Sequence, residues 1–347
     1  MKKYLLPCDV NWYRANLHCH STISDGNLTV EEIKSAYTAQ GYSIVAFTDH
    51  EILLDHSYLN DDSFLALTSS EYSITESTPS INDVEGYDID NWRRSKTIHM
   101  CIFSKKQHNT FQPAADDSSF AWVQGGKYVG KQQCDNYHRE YTRESINETV
   151  KRCNDAGFLV QLNHPYWSLN TREDYLAIEG LWSLEILNYA TERLTGAEYC
   201  PYIYDDMIRE GMHSLFCTMG DDNHNRGGNF DGSFGGSTFI GAKELKYDRV
   251  IEAMEKGDIY CASGKNPPRI TSLYVENNKV YVDCTPADNI IYTGYARHYL
   301  HEYGDGITHA EFPISKNDVM FRITVRDKLG GNAHTHYYNV NDYLDKE

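Results

Sequence analysis

The first two-thirds of the chain alternates short apolar runs with amphipathic stretches. Residues 16–20, 44–47, 64–67, 97–103, 158–162, 184–187 and 214–219 have the length and apolar character of strands. Residues 29–40 predict a helix: Thr29 can cap it, Glu31 and Glu32 suit its first turn, and Gly41 stops it. Residues 145–156, 202–209 and 247–256 predict further helices, ended by Gly157, Gly211 and Gly257. Repeated strand–helix order implies an α/β fold, with a parallel sheet or an α/β barrel.

Two stretches break this rhythm. Residues 104–140 are polar, aromatic and glycine-containing without a clear period, which reads as an irregular insertion acting as a lid. Residues 72–96 are a weaker case of the same kind. After Pro267-Pro268 the period changes to two. Residues 270–275 and 279–284 flank an Asn277-Asn278 turn, and residues 319–326 and 334–340 flank Gly330-Gly331. The expectation is therefore two domains, over residues 1–267 and 268–347, the second a small all-β sandwich.

Composition narrows the class. With 347 residues and 40% hydrophobic content, the chain can bury a sizeable core. A formal net charge of -18 repels a nucleic-acid backbone and argues against duplex binding. It leaves room for a small anionic substrate, because bound cations can make one cleft positive. Nine scattered cysteines without a framework suggest reduced thiols. Residues 1–7 lack the features of a secretory signal, and no stretch approaches the ~20 apolar residues of a membrane helix. These features give the expectation of a cytoplasmic protein off the membrane, with export of a longer parent left open.

The chemistry lies at strand ends. His18-Cys19-His20 places two imidazoles on one face of a strand, able to reach one metal. Ser24-Asp25-Gly26 follows, and the glycine allows Asp25 to curl back over the same place. Thr48-Asp49-His50 follows an apolar run, where ligands gather in α/β folds. His50 is read as a ligand and Asp49 as orienting a neighbouring imidazole, with helix capping the plainer reading of Asp49. Glu71, just past residues 64–67, can bridge two cations, although alone it reads as a surface carboxylate. His99 and His164 fall in or just after apolar runs, where a lone histidine is usually a satisfied core residue. Asp222 and His224 alternate as His18 and His20 do, whereas Asp221 should face the other way. Nine candidates result: His18, His20, Asp25, His50, Glu71, His99, His164, Asp222 and His224. Oxygen and imidazole donors without thiolate suit zinc, manganese or iron. So many donors suit two or three divalent ions with positions open to water and substrate.

Taken in order, these stretches resemble the PHP (polymerase and histidinol phosphatase) family. The resemblance rests on 16–21 (Asn-Leu-His-Cys-His-Ser), Ser24-Asp25-Gly26, Phe47-Thr48-Asp49-His50, Glu71, His99, Asn163-His164-Pro165 and Asp222-Asn223-His224. It covers roughly residues 15–264, and residues 260–264 before an all-β tail also resemble a two-domain bacterial subgroup of PHP-like phosphoesterases. The resemblance implies a distorted seven-stranded (β/α) barrel and a trinuclear site. It implies one ion on His18, His20, Glu71 and Asp222, a second on Glu71, His99 and His164, and a third on Asp25, His50 and His224. The implied activity is hydrolysis of phosphate esters, of a small phosphorylated metabolite or a nucleotide, by metal-bound hydroxide. Such ions lower the pKa of bound water to about 7 and clamp phosphoryl oxygens.

The chain departs from the family pattern in one respect. The glycine-arginine and histidine-arginine stretch that binds substrate in several family phosphatases is missing. His138 and Arg139 lie in about the right place as weak substrate-binding candidates, and Arg143, Lys131 and Arg226 compete with them. Two other readings stay open: an amidohydrolase-like C–N hydrolase, disfavoured by the lack of a strand-end lysine, and a catalytically silent metal-binding module.

Overall fold

The apolar runs become the middle of a long mixed sheet. The computed structural model describes residues 2–86, 88–116 and 133–344. The longer strands of the main sheet up to residue 263 are β1 (Asn11–Asn16), β2 (Ile44–Phe47), β3 (Leu65–Thr75), β4 (Thr97–Ser104), β5 (Phe158–Leu162), β6 (Ser183–Asn188), β7 (Phe216–Gly220), β8 (Gly236–Ala242) and β9 (Ile259–Ser263). They pair in the order β9–β8–β1–β2–β3–β4–β5–β6–β7. Strands β1, β2 and β3 run parallel, as do β5, β6 and β7, with β4 antiparallel to both of its neighbours. Every residue of β2, β5 and β6 is buried, as expected of strands covered on both faces.

Helix α1 (Val30–Ala39) shows why the local signals were readable. Thr29 N donates to Glu32 Oε2 at 2.8 Å and Glu32 N donates to Thr29 Oγ1 at 3.3 Å, a reciprocal cap. Losing such a cap costs about 1 kcal/mol. The helix buries Val30, Ile33 and Tyr37. The Tyr37 hydroxyl reaches across to Asp221 Oδ2 at 2.7 Å and so ties α1 to the loop after β7. Helices α2 (Arg143–Asp155), α3 (Arg172–Leu176), α4 (Tyr189–Thr195), α5 (Pro201–Arg209) and α6 (Tyr247–Lys256) follow. Helix α6 ends at Gly257, whose φ of 77° suits glycine.

The sheet continues through β10 (Ile270–Glu276), β11 (Lys279–Gly294), β12 (Tyr299–Pro313), β13 (Met320–Arg326) and β14 (Asn332–Thr335), and the two-residue strands Lys3–Tyr4 and Tyr338–Asn339 pair with β10 and β13. Asn277 and Asn278 both take positive φ, 51° and 58°, as a two-residue hairpin between β10 and β11 requires. These strands are not set apart as a separate sheet. Strand β14 pairs antiparallel with both β13 and β9, so one 16-stranded sheet runs past Pro268. The physical reason lies at β9: its outer edge carries backbone donors and acceptors that β14 satisfies.

Nor is a closed seven-stranded barrel formed. Among the described residues no backbone ladder joins β7 to β8 or β1. The sheet nevertheless curls until its β7 end meets β8 and the chain just past β1. Met219 N donates to Thr238 Oγ1 at 3.2 Å, and Asp222 N donates to His18 O at 2.8 Å. A Cβ at Gly236 would lie 2.2 Å from Gly220 O, so this approach needs glycine.

Several boundaries differ from the sequence reading. Strand β3 runs through Thr75, so Glu71 sits inside it rather than just beyond it. Strands β8 and β12 and helices α3 and α4 were not expected. Within 104–140, Gln112–Ala115 pairs with Cys134–Asn136 in a small second sheet, while 117–132 lie outside the described residues, as does much of the expected lid. No described helix is long and apolar enough to cross a membrane.

Candidate metal centre

The site begins where β1 runs on past Asn16. His18 and His20 are fully buried, and their rings lie 5.2 Å apart. The chain then turns sharply. Gly26 N donates to Ser21 O at 2.9 Å, and a Cβ at Gly26 would come within 2.4 Å of His20 O. This turn carries Asp25 back toward the imidazoles. Asp49 was expected to orient a neighbouring imidazole. Its carboxylate instead accepts from the backbone and hydroxyl of Ser21 (2.8 and 2.7 Å) and of Ser24 (3.1 and 2.7 Å). Asp49 thus fixes the turn that holds Asp25.

Glu71 is the hub. It projects from β3, with neighbouring backbone bridged to His50 and paired with Cys101. Its Oε1 lies 3.3 Å from His18 Nε2, 3.1 Å from His99 Nδ1 and 3.3 Å from His164 Nε2. Its Oε2 lies 3.3 Å from both His20 Nε2 and His50 Nδ1. Asp222 Oδ1 lies 3.3 Å from His18 Nε2 and 3.0 Å from His20 Nε2. At the more exposed side, Asp25 Oδ2 lies 3.1 Å from His224 Nε2, and Asp25 Oδ1 lies 3.7 Å from both His20 Nδ1 and His50 Nε2. All nine expected side chains therefore converge on one place.

Most of these approaches are close without being aligned as hydrogen bonds. His18 Nε2, both ring nitrogens of His20, and Asp222 Oδ1 are buried and have no hydrogen-bond partner. Buried polar atoms are normally paired, and leaving one unpaired costs roughly 1–3 kcal/mol. Two of the nine residues also hold left-handed backbone, His164 at φ 24° and Asp222 at φ 54°, a strain that concentrates at functional sites.

Electrostatics point the same way. Burial alone would raise the Glu71 and Asp222 carboxyls, yet the neighbouring imidazoles, His18 foremost, hold both well below the usual range. Burial opposes charge on His18 and His20, but Asp222 and Glu71 override it and raise both. His50 is pushed down to about 3 by burial and by its neighbour His20. Six imidazoles thus surround three carboxylates.

The donor atoms fall into three groups, each within 4.8 Å: His20, Asp25, His50 and His224; His18, Glu71 and His164; and His18, His20 and Asp222. The family resemblance implied a different partition, with His20 only in the set of His18, Glu71 and Asp222, and with His99 as a full member of the set of Glu71 and His164. His99 lies outside these groups, although its Nδ1 reaches Glu71.

The sequence reading missed the supporting residues. Glu185 is fully buried in β6, accepts from His164 N at 3.3 Å and from Asn188 Nδ2 at 3.1 Å, and lies 3.1 Å from His18 Nδ1. Its signal was available: an acid inside the apolar run 183–188. Asn163 donates to Glu71 Oε1 at 2.8 Å and Asn188 donates to Asp222 Oδ2 at 3.0 Å. Ser168 Oγ lies 3.0 Å from His164 Nδ1. Such outer partners fix ring orientation. Asp221 faces away, as expected, and accepts the N–H groups of Phe234, Gly235 and Gly236.

The weak substrate-binding candidates fare differently. Arg139 is buried and pairs with Glu51 at 2.5 Å, beneath the loop that carries His50, so it braces the fold instead of facing substrate. Arg143 is exposed at the start of α2 and pairs with Glu179 at 3.1 Å. His138 is exposed, 3.3 Å from Asp116. Arg226 is exposed two residues past His224. Lys131 lies outside the described residues.

No protein-family model and no curated protein matches the sequence. Solved structures do. One is a two-domain Bacteroides vulgatus protein containing a predicted PHP-like metal-dependent phosphoesterase, 13% identical, covering 97% of this chain and 98% of its own, with a TM-score of 0.45. The structural neighbours include PHP-like phosphoesterases. Another, from Bifidobacterium adolescentis and assigned by inference as a metal-dependent phosphoesterase, is 16% identical over 61% of this chain and 88% of its own, with a TM-score of 0.40. An amidohydrolase from Chromobacterium violaceum with bound sulfate is 13% identical over 71% of this chain and 96% of its own, with a TM-score of 0.38. At these levels the likeness carries no inference about activity.

Proposed function

We propose that the protein hydrolyses phosphate esters with the help of two or three divalent cations. The observation that carries this reading is the set of buried, unpartnered donors: His18 Nε2, His20 Nδ1 and Nε2, and Asp222 Oδ1. His18 Nε2, His20 Nε2 and Asp222 Oδ1 stand 3.0–3.3 Å from potential partners, and His20 Nδ1 stands 3.7 Å from Asp25 Oδ1, without aligning to them, as expected of lone pairs aimed at a shared cation.

The residues fit such ions. His18, His20 and Asp222 would hold one, His18, Glu71 and His164 with His99 alongside would hold a second, and His20, Asp25, His50 and His224 would hold a third. Bound there, divalent cations supply a water nucleophile at neutral pH and neutralise phosphoryl oxygens. The protein supplies the rest. Glu185 and Ser168 orient His18 and His164, Asn163 and Asn188 orient the two inner carboxylates, and Asp49 anchors the turn bearing Asp25. Asp25 and His224 are the least buried of the nine, so substrate enters on their side. Imidazole and carboxylate donors suit zinc, manganese or iron.

The substrate we assign is small and anionic, with duplex nucleic acid disfavoured by the net charge of -18. The test is hydrolysis of a generic aryl phosphate monoester and diester, with and without chelator. Chelator-sensitive turnover of either ester is expected. Cation binding without either activity would transfer the site to C–N hydrolysis or to a silent module.

A further inference from the structure

Resting on the phosphoesterase reading, we infer that Trp167 is a stacking platform that selects esters carrying a flat aromatic ring, such as a nucleobase. Among the described residues, Trp167 is the exposed aromatic whose ring meets the site's imidazoles. Its centroid lies 5.2 Å from that of His164 and 5.6 Å from that of His99. The indole is 41% exposed, and Tyr166 beside it is 51% exposed. An aromatic present only to shield His164 would be covered itself, because a Trp buries a large apolar area when it can.

The backbone beneath the indole is held firmly. Glu198 is fully buried, and its two carboxylate oxygens accept from Tyr166 N at 3.2 Å and Trp167 N at 2.7 Å. Ser168 N donates to His164 O at 3.1 Å, and Thr97 N donates to Ser168 O at 3.1 Å. Leu169 takes a left-handed φ of 60°. A buried carboxylate and a strained residue thus fix two half-exposed aromatic rings at the edge of the site.

The chemistry of the loop favours a ring over a sugar. Carbohydrate recognition needs outward-facing polar groups, and here they are turned inward. The Ser168 hydroxyl sits against His164, the Asn170 amide nitrogen donates to Thr97 O and Ser168 O, and Glu198 is used by the two N–H groups. What this loop offers a substrate is aromatic surface. Stacking of a base on such a surface contributes about 1–3 kcal/mol.

The test compares AMP with glycerol phosphate on the metal-loaded wild type, Trp167→Ala and Trp167→Phe. The ratio of kcat/KM for AMP over glycerol phosphate is expected to fall about tenfold or more in Trp167→Ala, through KM, and to recover to within about threefold in Trp167→Phe. An unchanged ratio, or equal loss in both variants, would overturn the inference. A separate arm uses adenosine, which has no phosphate. Saturation transfer to its base protons from wild type but not from Trp167→Ala would sustain the platform even if no ester were hydrolysed; equal transfer from both would overturn it even if hydrolysis were observed.

Discussion

Two buried polar clusters on the same sheet each contain histidine and are completed in opposite ways. In one, Arg322 on β13 makes a bidentate pair with Asp205 on α5, at 2.8 and 2.9 Å. Its third nitrogen donates to Thr324 Oγ1 at 2.6 Å and to His334 Nδ1 at 3.1 Å. His334 is held neutral by burial and by Arg322, so its Nε2–H is left to donate to Tyr199 Oη at 2.5 Å. The Tyr337 hydroxyl closes the circuit on Asp205 at 3.0 Å. Each group there faces another protein group. Around Glu71 and Asp222, histidines and carboxylates instead leave buried donors facing a common space. Composition alone does not separate a structural histidine from a ligand. The direction of its lone pairs does.

The largest effect should come from removing a side chain of the cluster around Glu71. Asp222→Ala and His99→Ala are each expected to lower both bound metal and turnover, with activity falling more than about a hundredfold, beyond what outer partners usually command. Metal content equal to wild type in both variants, read by elemental analysis, would undo the contrast. Next in size is Glu185→Gln, which keeps the shape but weakens the grip on His18 Nδ1. Metal affinity, measured by competition with a chelator, should fall about 10–100-fold while the fold persists. An unaltered affinity would make Glu185 a passive core residue.

The closed cluster should answer in stability instead. Asp205→Ala leaves the largely buried Arg322 charge uncompensated and should cost about 3 kcal/mol in urea denaturation, with bound metal unchanged. Simultaneous loss of metal would show that the two clusters are not independent. The smallest effect concerns His336, half-buried against Phe216 and Tyr338. Burial pushes its pKa down to about 4. The unfolded chain then binds the extra proton first, so this residue's contribution is intact above about pH 6.5 and is lost as pH falls toward 4. His336→Phe should flatten that part of the stability curve by about 1 kcal/mol per pH unit. Identical slopes for wild type and variant would reject the assignment.

The candidate site was more legible than the fold. His18, His20, His50, His164, Asp222 and His224 follow short apolar runs, and a strand end marks them without any tertiary knowledge. Glu71 was found for a partly mistaken reason: β3 continues four residues beyond it, because β4 pairs with that extension residue by residue. Glu185 and Asn188 were passed over because an acid or amide inside an apolar run looks like noise until its partner, 167 residues away in the case of His18, is brought beside it. Arg139 was drawn to the substrate by its position in sequence, whereas burial and Glu51 claim it for the fold. The joining of β14 to β9 was illegible for a related reason: pairing across about 70 residues leaves no local signature, and each hairpin looked self-contained.

The central claim is that the open cluster holds cations. Elemental analysis of the protein after reconstitution with zinc, manganese or iron tests it most directly. About two to three ions per chain, bound tightly enough to survive desalting, is the predicted result. No bound metal under any of these conditions would contradict the account.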